Sequence, residues 1–449
     1  MRYIPHTEED IQQMLATIGV TSIRDLFQDI PDSLYLKEPL PIPDGLDEHA
    51  LFKRLARLAN QNADTTRYLS FLGAGAYDHF IPSIVQTLIS RGEFLTAYTP
   101  YQPEASQGLL QSIFEFQTMV CELTGMEVAN ASMYDASTAL AESALMACQI
   151  TGRSRVIASQ AIHPHYRQVL RTYLWTNSRE LVEIPHAEGI TDSDALRAAI
   201  DNQTACVLVQ YPNFFGLIEP LAPIVETAHQ HGALAIVCAD PMALGVLKPP
   251  GEYGVDIVVG EGQSLGNAMG FGGPFLGLFA CKQEYVRRIP GRIVGQTTDS
   301  EGRRGFVMTL RTREQDIRRE KATSNICTNE ALCALASTIF MSALGKQGFR
   351  ELAETCTQKA HYAAQRLTEI PGVALRFPKT PFFKEFVLEL PLSARAVCDR
   401  LLDKQILAGL PLEPYYPNME NALLVCVTET RTREEIETFA ESLADALRK

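Results

Sequence analysis

The chain has 449 residues, of which 46% are hydrophobic and 21% charged, and its formal net charge is −13. That length suits a large domain with a smaller one, and no low-complexity tract interrupts it. The acidic balance argues against binding nucleic acid or an anionic membrane through bulk charge.

The ten cysteines include no C-x-x-C pair, and several lie in apolar runs, such as Cys206, Cys238 and Cys426. They read as reduced, buried thiols, which points to a cytoplasmic protein. The opening MRYIPHTEEDIQQML sets a proline and acids where a secretory leader needs basic and then apolar residues. No apolar stretch approaches the ~20 residues of a membrane span.

Residues 1–65 read as a helical arm and linker. Thr7 and Asp10 form a capping box ahead of IQQMLATIGV, and LKEPLPIPDG follows as an extended connection. Two long helices come next. One is ASQGLLQSIFEFQTMVCEL, closed by Gly125, and the other starts near Asp135 and closes at Gly152. The centre then alternates. SRVIASQAI, ACVLVQYP, ALAIVCAD, DIVVGEG and FLGLFAC are short apolar runs, as strands covered on both faces would be. HPHYRQVLRTYL, SDALRAAI and LAPIVETAHQHG lie between them at helical period. Residues 66–330 therefore read as an α/β domain with a mainly parallel sheet, its ligand site beyond the carboxyl ends of the strands. Residues 331–449, with GVALRF, EFVLELP, LLVCVTE and a capped final helix, read as a small α+β domain.

The turn EGQSLG after DIVVG raises the question of chemistry. In pyridoxal-phosphate enzymes of the aminotransferase-like class (fold type I), that turn carries the lysine that anchors the cofactor. Such a site also needs an acid at the ring nitrogen and a helix N-terminus for the phosphate. Asp240, at the end of LAIVCAD, is placed like the acid, and His163 like a residue stacked on the ring. Their plainer readings are a turn residue and a structural histidine. The lysine position holds Gln263, whose carboxamide nitrogen is delocalised and not nucleophilic. Lys248 lies before the strand and Lys321 well after it. Asp135 reads as the cap of the helix that would face the phosphate. As a cap it is worth ~1 kcal/mol, and its charge repels a dianion. The expectation is a vacant, vestigial pocket with no cofactor bound by this chain alone. GFGGP lacks the Gly-Lys-Ser/Thr of a P-loop, and His229 and His231 face different directions at a helix end rather than forming a metal site.

Two stretches carry a resemblance. RGEFLTAYTPYQPEASQGLLQSIFEFQTMVCELTGMEVANASMYDASTALAE and RREKATSNICTNEAL resemble the P protein of the glycine cleavage system closely, and YIPHTEEDIQQMLATIGV and FLGAGAYDHFIP extend the match. The resemblance is to the N-terminal half, which occurs in two-subunit versions as a separate alpha subunit. It implies a beta subunit (subunit 2) that carries the lysine and the pyridoxal phosphate. It also implies decarboxylation of glycine with transfer of the aminomethyl group to the lipoyl arm of H protein, and T and L proteins as functional partners. On this view Gln263 is what this half should have, and Asp240 and His163 are vestigial.

The loop TAYTPYQPE is the candidate contribution to the partner's active site. Tyr98, Tyr101, Gln102 and Glu104, with Thr96 and Thr99, put hydroxyls, an amide and an acid on a segment stiffened by Pro100 and Pro103. An interface loop with packed tyrosines is the equally open, compatible reading. Residues 90–135 are expected to belong to an extensive apolar interface with subunit 2. Arg303, Arg304, Arg311, Arg313, Arg318 and Arg319 read first as a helix face laced with ion pairs to Glu314, Asp316 and Glu320, and second as a surface for an acidic partner. A self-sufficient pyridoxal-phosphate enzyme is opposed by Gln263 and Asp135. A purely structural or regulatory paralogue has no need of the polar loop.

Overall fold

A computed structural model describes residues 5–38, 40–96 and 102–448. The chain divides into two units between Ala63 and Asp64. In the first, helix Glu8–Ile18 starts at the expected capping box: Thr7 N–H donates to Asp10 at 2.7 Å, and Asp10 N–H donates to Thr7 Oγ1 at 3.2 Å. A second helix, Glu48–Ala59, is capped by Asp47.

The second unit is built on a seven-stranded sheet. Its strands are β1 (Val128–Ala129), β2 (Arg155–Ser159), β3 (Glu180–Ile184), β4 (Thr204–Tyr211), β5 (Leu234–Ala239), β6 (Ile257–Glu261) and β7 (Gly277–Cys281). The spatial order is β1-β7-β6-β5-β4-β2-β3, with β7 antiparallel to both neighbours and the remaining pairs parallel. Every residue of β5, β6 and β7 is buried, which is why these strands read as unbroken apolar runs rather than alternating ones. Helices Gln107–Thr124 and Ala136–Thr151 close at Gly125 and Gly152, both with positive φ, as the sequence predicts. β3 went unread because ELVEI carries two glutamates, gives neither an unbroken apolar run nor a strict alternation, and at the sheet edge is only partly buried.

One expectation fails. The arginine-rich segment is not a helix face at its start. A hairpin pairs β8 (Ile293–Thr298) with β9 (Arg304–Thr309), and only Gln315–Arg318 is α-helical. The period-two pattern explains this: Phe306 is buried and Met308 half-buried, and both pack with Leu110, Ile113 and Val294 against helix Gln107–Thr124.

Helix Ala331–Thr368, broken at Gly345 where φ is 62° and ψ 178°, runs from the core of the large sheet to a second core. That second core lies on an antiparallel sheet of β10 (Ala374–Leu375), β11 (Glu385–Glu389), β12 (Leu410–Pro411) and β13 (Ala422–Cys426), in the order β10-β11-β13-β12. The two sheets meet at Gly216. A Cβ there would fall 2.0 Å from the Glu385 carbonyl oxygen, and φ is +81°, so both space and backbone require glycine. This close approach delivers Lys384 and Glu385 to the ends of β5 and β6.

Candidate functional site

The carboxyl ends of β5 and β6 carry Asp240 and the turn with Gln263, so the sequence placed both correctly on the sheet. The space in front of them is not vacant. Residues 73–79, the loop GAGAYDH, occupy it with backbone and a tyrosine ring, where the sequence alone suggests a pocket vacant of cofactor.

Gln263 is 2% exposed and fully bonded. Its Oε1 accepts from Tyr77 N–H at 2.8 Å, and its Nε2 donates to Tyr77 O at 3.1 Å and Asn267 O at 2.7 Å. The carboxamide thus pairs with one residue of the loop as a neighbouring strand would, a geometry that a lysine cannot reproduce.

Asp240 meets a lysine from β11's entry. Lys384 Nζ lies 2.8 Å from Asp240 Oδ2 and 3.3 Å from His79 Nε2, and stands 3.5 Å from the centre of the Tyr77 ring. The ammonium is 1% exposed and uses an anion, an imidazole and an aromatic face together. Burial pulls its pKa down, but the groups around it, Asp240 foremost, together outweigh this and hold it above the ordinary lysine value. Tyr77 Oη donates to Glu385 Oε2 at 2.8 Å, and Glu385 Oε1 accepts from Ala74 N–H at 2.6 Å. Burial pushes Glu385 up to about 7 against these donors.

His163 is held in the same way. It stacks on Tyr166, with ring centres 4.4 Å apart and planes 20° from parallel. Its Nδ1 accepts from His165 N–H at 3.1 Å, so the proton sits on Nε2 and is donated to Ala74 O at 2.9 Å. Burial lowers its pKa to about 4, consistent with that neutral tautomer.

The helix end that would hold a phosphate is covered by two carboxyl groups. Asp135 Oδ1 accepts from Ser137 N–H at 2.7 Å and Thr138 N–H at 3.0 Å, the cap read from the sequence. Glu261 Oε2 accepts from Ala136 N–H at 3.0 Å, while its Oε1 takes Gln263 and Leu276 N–H groups at 3.0 and 2.9 Å. Burial, with a smaller push from Asp135, raises Glu261 to about 8 against those donors. Ring acid, lysine position, stacking residue and phosphate cradle are thus each satisfied from within the chain. The residues present do not fit pyridoxal phosphate.

Behind this cluster, His79 Nδ1 lies 2.7 Å from Glu429 Oε2, and Cys356 Sγ lies 3.3 Å from the same oxygen. Their ligand atoms lie within 4.8 Å of one another. With the Lys384 ammonium at His79 and Lys359 Nζ on the Glu429 carbonyl, the group works as a hydrogen-bonded hub rather than a cation site. Burial would raise Glu429, yet His79 and the backbone amides of Phe80 and Glu429 itself together hold it down at about 2. Burial and the Lys384 charge together lower His79.

The other sequence candidates lie apart from this cluster. Lys248 pairs at 3.9 Å with Glu252, and Lys321 is exposed. His229 bonds Asp256 at 2.7 Å, whereas His231 bonds the Thr227 carbonyl. Gln102 and Glu104 are exposed just before helix Gln107–Thr124, and Tyr98 and Tyr101 lie outside the described residues. Of the arginines, Arg303 pairs with Asp299 and Glu301, Arg304 lies over the Phe306 ring, and Arg311 pairs with Asp316. Arg313 is buried on the Ile289 carbonyl, while Arg318 and Arg319 are exposed. Lys384 was missed from the sequence. Its signal was a lysine set between aromatic residues at the entry to an apolar strand, in PFFKEFVLEL.

Comparison with known proteins decides the family. The model of the glycine cleavage system P-protein family matches residues 1–443. The chain belongs to that family. It is 54% identical over 445 residues to the probable glycine dehydrogenase (decarboxylating) subunit 1 of Desulfitobacterium hafniense, covering 99% of this chain and 100% of that one. It is 55% identical over 444 residues to the corresponding protein of Geobacillus kaustophilus, covering 99% of each. A crystal structure of glycine decarboxylase (P-protein) of the glycine cleavage system, in inhibitor-bound form, superimposes with a TM-score of 0.93 at 48% identity over the whole of both chains. A sphingosine-1-phosphate lyase from Burkholderia pseudomallei, at 16% identity and a TM-score of 0.68 over 92% of this chain and 93% of its own, shares the fold. The P-protein chain described here is thus an α/β protein of the aminotransferase-like, fold type I class. Among its described residues no helix is long and apolar enough to cross a membrane.

Proposed function

We propose that this chain is the non-lysine-bearing subunit of a two-subunit P-protein that decarboxylates glycine and passes the aminomethyl group to the lipoyl arm of H protein. The observation that carries the reading is the filled pocket: Tyr77, Lys384, Gln263 and Glu261 take the places a cofactor would need. The relatives named subunit 1 of glycine dehydrogenase support a second chain; in this reading that chain holds the reactive lysine. Pyridoxal phosphate on the partner subunit supplies the electron sink that decarboxylation requires. The part of this chain is to complete the partner's site from outside. The segment 96–104 orients glycine and the incoming lipoyl group through Tyr98, Tyr101, Gln102 and Glu104, and an apolar interface drawn from residues 90–135 holds the pair together. The division into an arm (1–65), a large domain (66–330) and a small domain (331–449), and a cytoplasmic location, belong to the same reading.

Reconstitution tests it. The chain alone gives no glycine-dependent exchange of carbon dioxide, and an equimolar mixture with the lysine-bearing subunit and lipoylated H protein does. The two subunits sediment as one species at micromolar concentration, as an interface burying more than ~2,000 Å² would ensure. Exchange by the isolated chain at the rate of the mixture, or separate sedimentation of the two subunits, overturns the proposal.

A further inference from the structure

Two glutamines on helix Gln107–Thr124 hold the hairpin β8–β9 by the same device. Gln117 Oε1 accepts from Val294 N–H at 2.9 Å, and its Nε2 donates to Val294 O at 2.9 Å. Gln107 repeats this on the other strand: Oε1 accepts from Phe306 N–H and Nε2 donates to Phe306 O, both at 2.8 Å. In each case a carboxamide pairs with one strand residue as a neighbouring backbone would. The second amide hydrogen separates the two. That of Gln107 goes to the Pro103 carbonyl at 2.8 Å, so one side chain joins the hairpin to the end of the segment proposed to reach the partner's site.

We propose that Gln107 is a positioning residue for glycine decarboxylation, fixing the C-terminal end of the segment 96–106 against the hairpin. The inference rests on the role given to that segment above. Its two ends are tied within this chain. Thr96 Oγ1 donates to the Gly92 carbonyl at 2.6 Å at the near end. At the far end the Gln102 carbonyl accepts from Ala105 and Ser106 N–H at 3.1 and 3.0 Å, making a turn that the Pro103–Gln107 bond closes onto β9. Hairpin and helix share a packed core, with Leu110, Ile113, Val294 and Phe306 all buried, so the anchor is rigid. A group presented to another subunit's substrate gains from such a tie, because small displacements of reacting groups cost rate steeply.

The matched pair of glutamines supplies the control. Gln107→Met and Gln117→Met each remove one grip on the hairpin, but only the first releases Pro103. In the reconstituted enzyme, Gln107→Met lowers kcat roughly tenfold with little change in KM for glycine, the scale of one lost hydrogen bond acting in the transition state. Gln117→Met, although the more buried of the two, stays within about twofold. Hydrogen exchange provides a readout independent of turnover: the Ala105 and Ser106 amides exchange faster in Gln107→Met and unchanged in Gln117→Met. That measurement decides the matter on Gln107→Met against the unaltered chain if Gln117→Met does not fold. Equal kcat in the two variants, or unchanged exchange at Ala105 and Ser106 in Gln107→Met, overturns the positioning role. Full activity in both Tyr98→Phe and Tyr101→Phe overturns instead the role of the segment itself.

Discussion

Replacing Lys384 by methionine lowers the unfolding free energy by about 3–5 kcal/mol, the cost of leaving a buried charge without its partner. Methionine keeps most of the aliphatic stem, so packing changes little and the effect reports the ammonium. Its loss strands Asp240, which faces Lys384 at 2.8 Å, and takes a donor from His79 Nε2 and a cation from the Tyr77 ring. Denaturant midpoints of the chain, alone and in the reconstituted pair, measure this, provided the slopes stay unchanged. The double variant Lys384→Met with Asp240→Leu recovers much of the loss, because removing both charges removes the uncompensated one. A loss below about 1 kcal/mol in Lys384→Met contradicts the view that this ion pair locks the pocket, since that is the size of an exposed pair.

The largest effect on turnover is expected at the tyrosines. Tyr98→Phe and Tyr101→Phe keep the ring and remove one hydroxyl each. A hydrogen bond to a charged substrate group is worth roughly 1.5–3 kcal/mol, so at least one variant slows glycine decarboxylation about tenfold or more. Cofactor content and subunit association stay unchanged. The measurement is glycine-dependent carbon dioxide exchange by the reconstituted pair, with sedimentation as the control. Full activity in both variants, with assembly intact, returns the loop to the role of a packing element.

Most of the sheet was legible because its strands are short apolar runs covered on both faces, and glycines mark the ends of both long helices. The Asp135 cap was legible too, since an N-cap is a local interaction of adjacent residues. The filling of the pocket was not. Tyr77 lies 186 residues from Gln263 in the chain, and Lys384 comes after the long helix in sequence whereas Asp240 precedes it, so these contacts exist only once both sheets are in place. Reading Gln263 as a missing lysine captured what the position cannot do. That its amide is the clamp holding Tyr77 depends on backbone geometry that no local pattern encodes. The arginine-rich stretch misled for the opposite reason. Its charges drew attention from the alternation of Phe306 and Met308 that makes it a strand.

The most direct test of the filled pocket is a titration of the isolated chain and of its Gln263→Lys variant with pyridoxal phosphate, followed by borohydride reduction and peptide mapping. The substitution restores an amine but leaves Asp240 on Lys384, Tyr77 in the ring space, and Asp135 with Glu261 on the helix end. Preorganisation, not one nucleophile, makes such a site. The account predicts no stoichiometric adduct at any one position in either protein, only sparse labelling spread over exposed lysines. A single stoichiometric adduct at position 263 of the variant, or at one lysine of the unaltered chain, would contradict it.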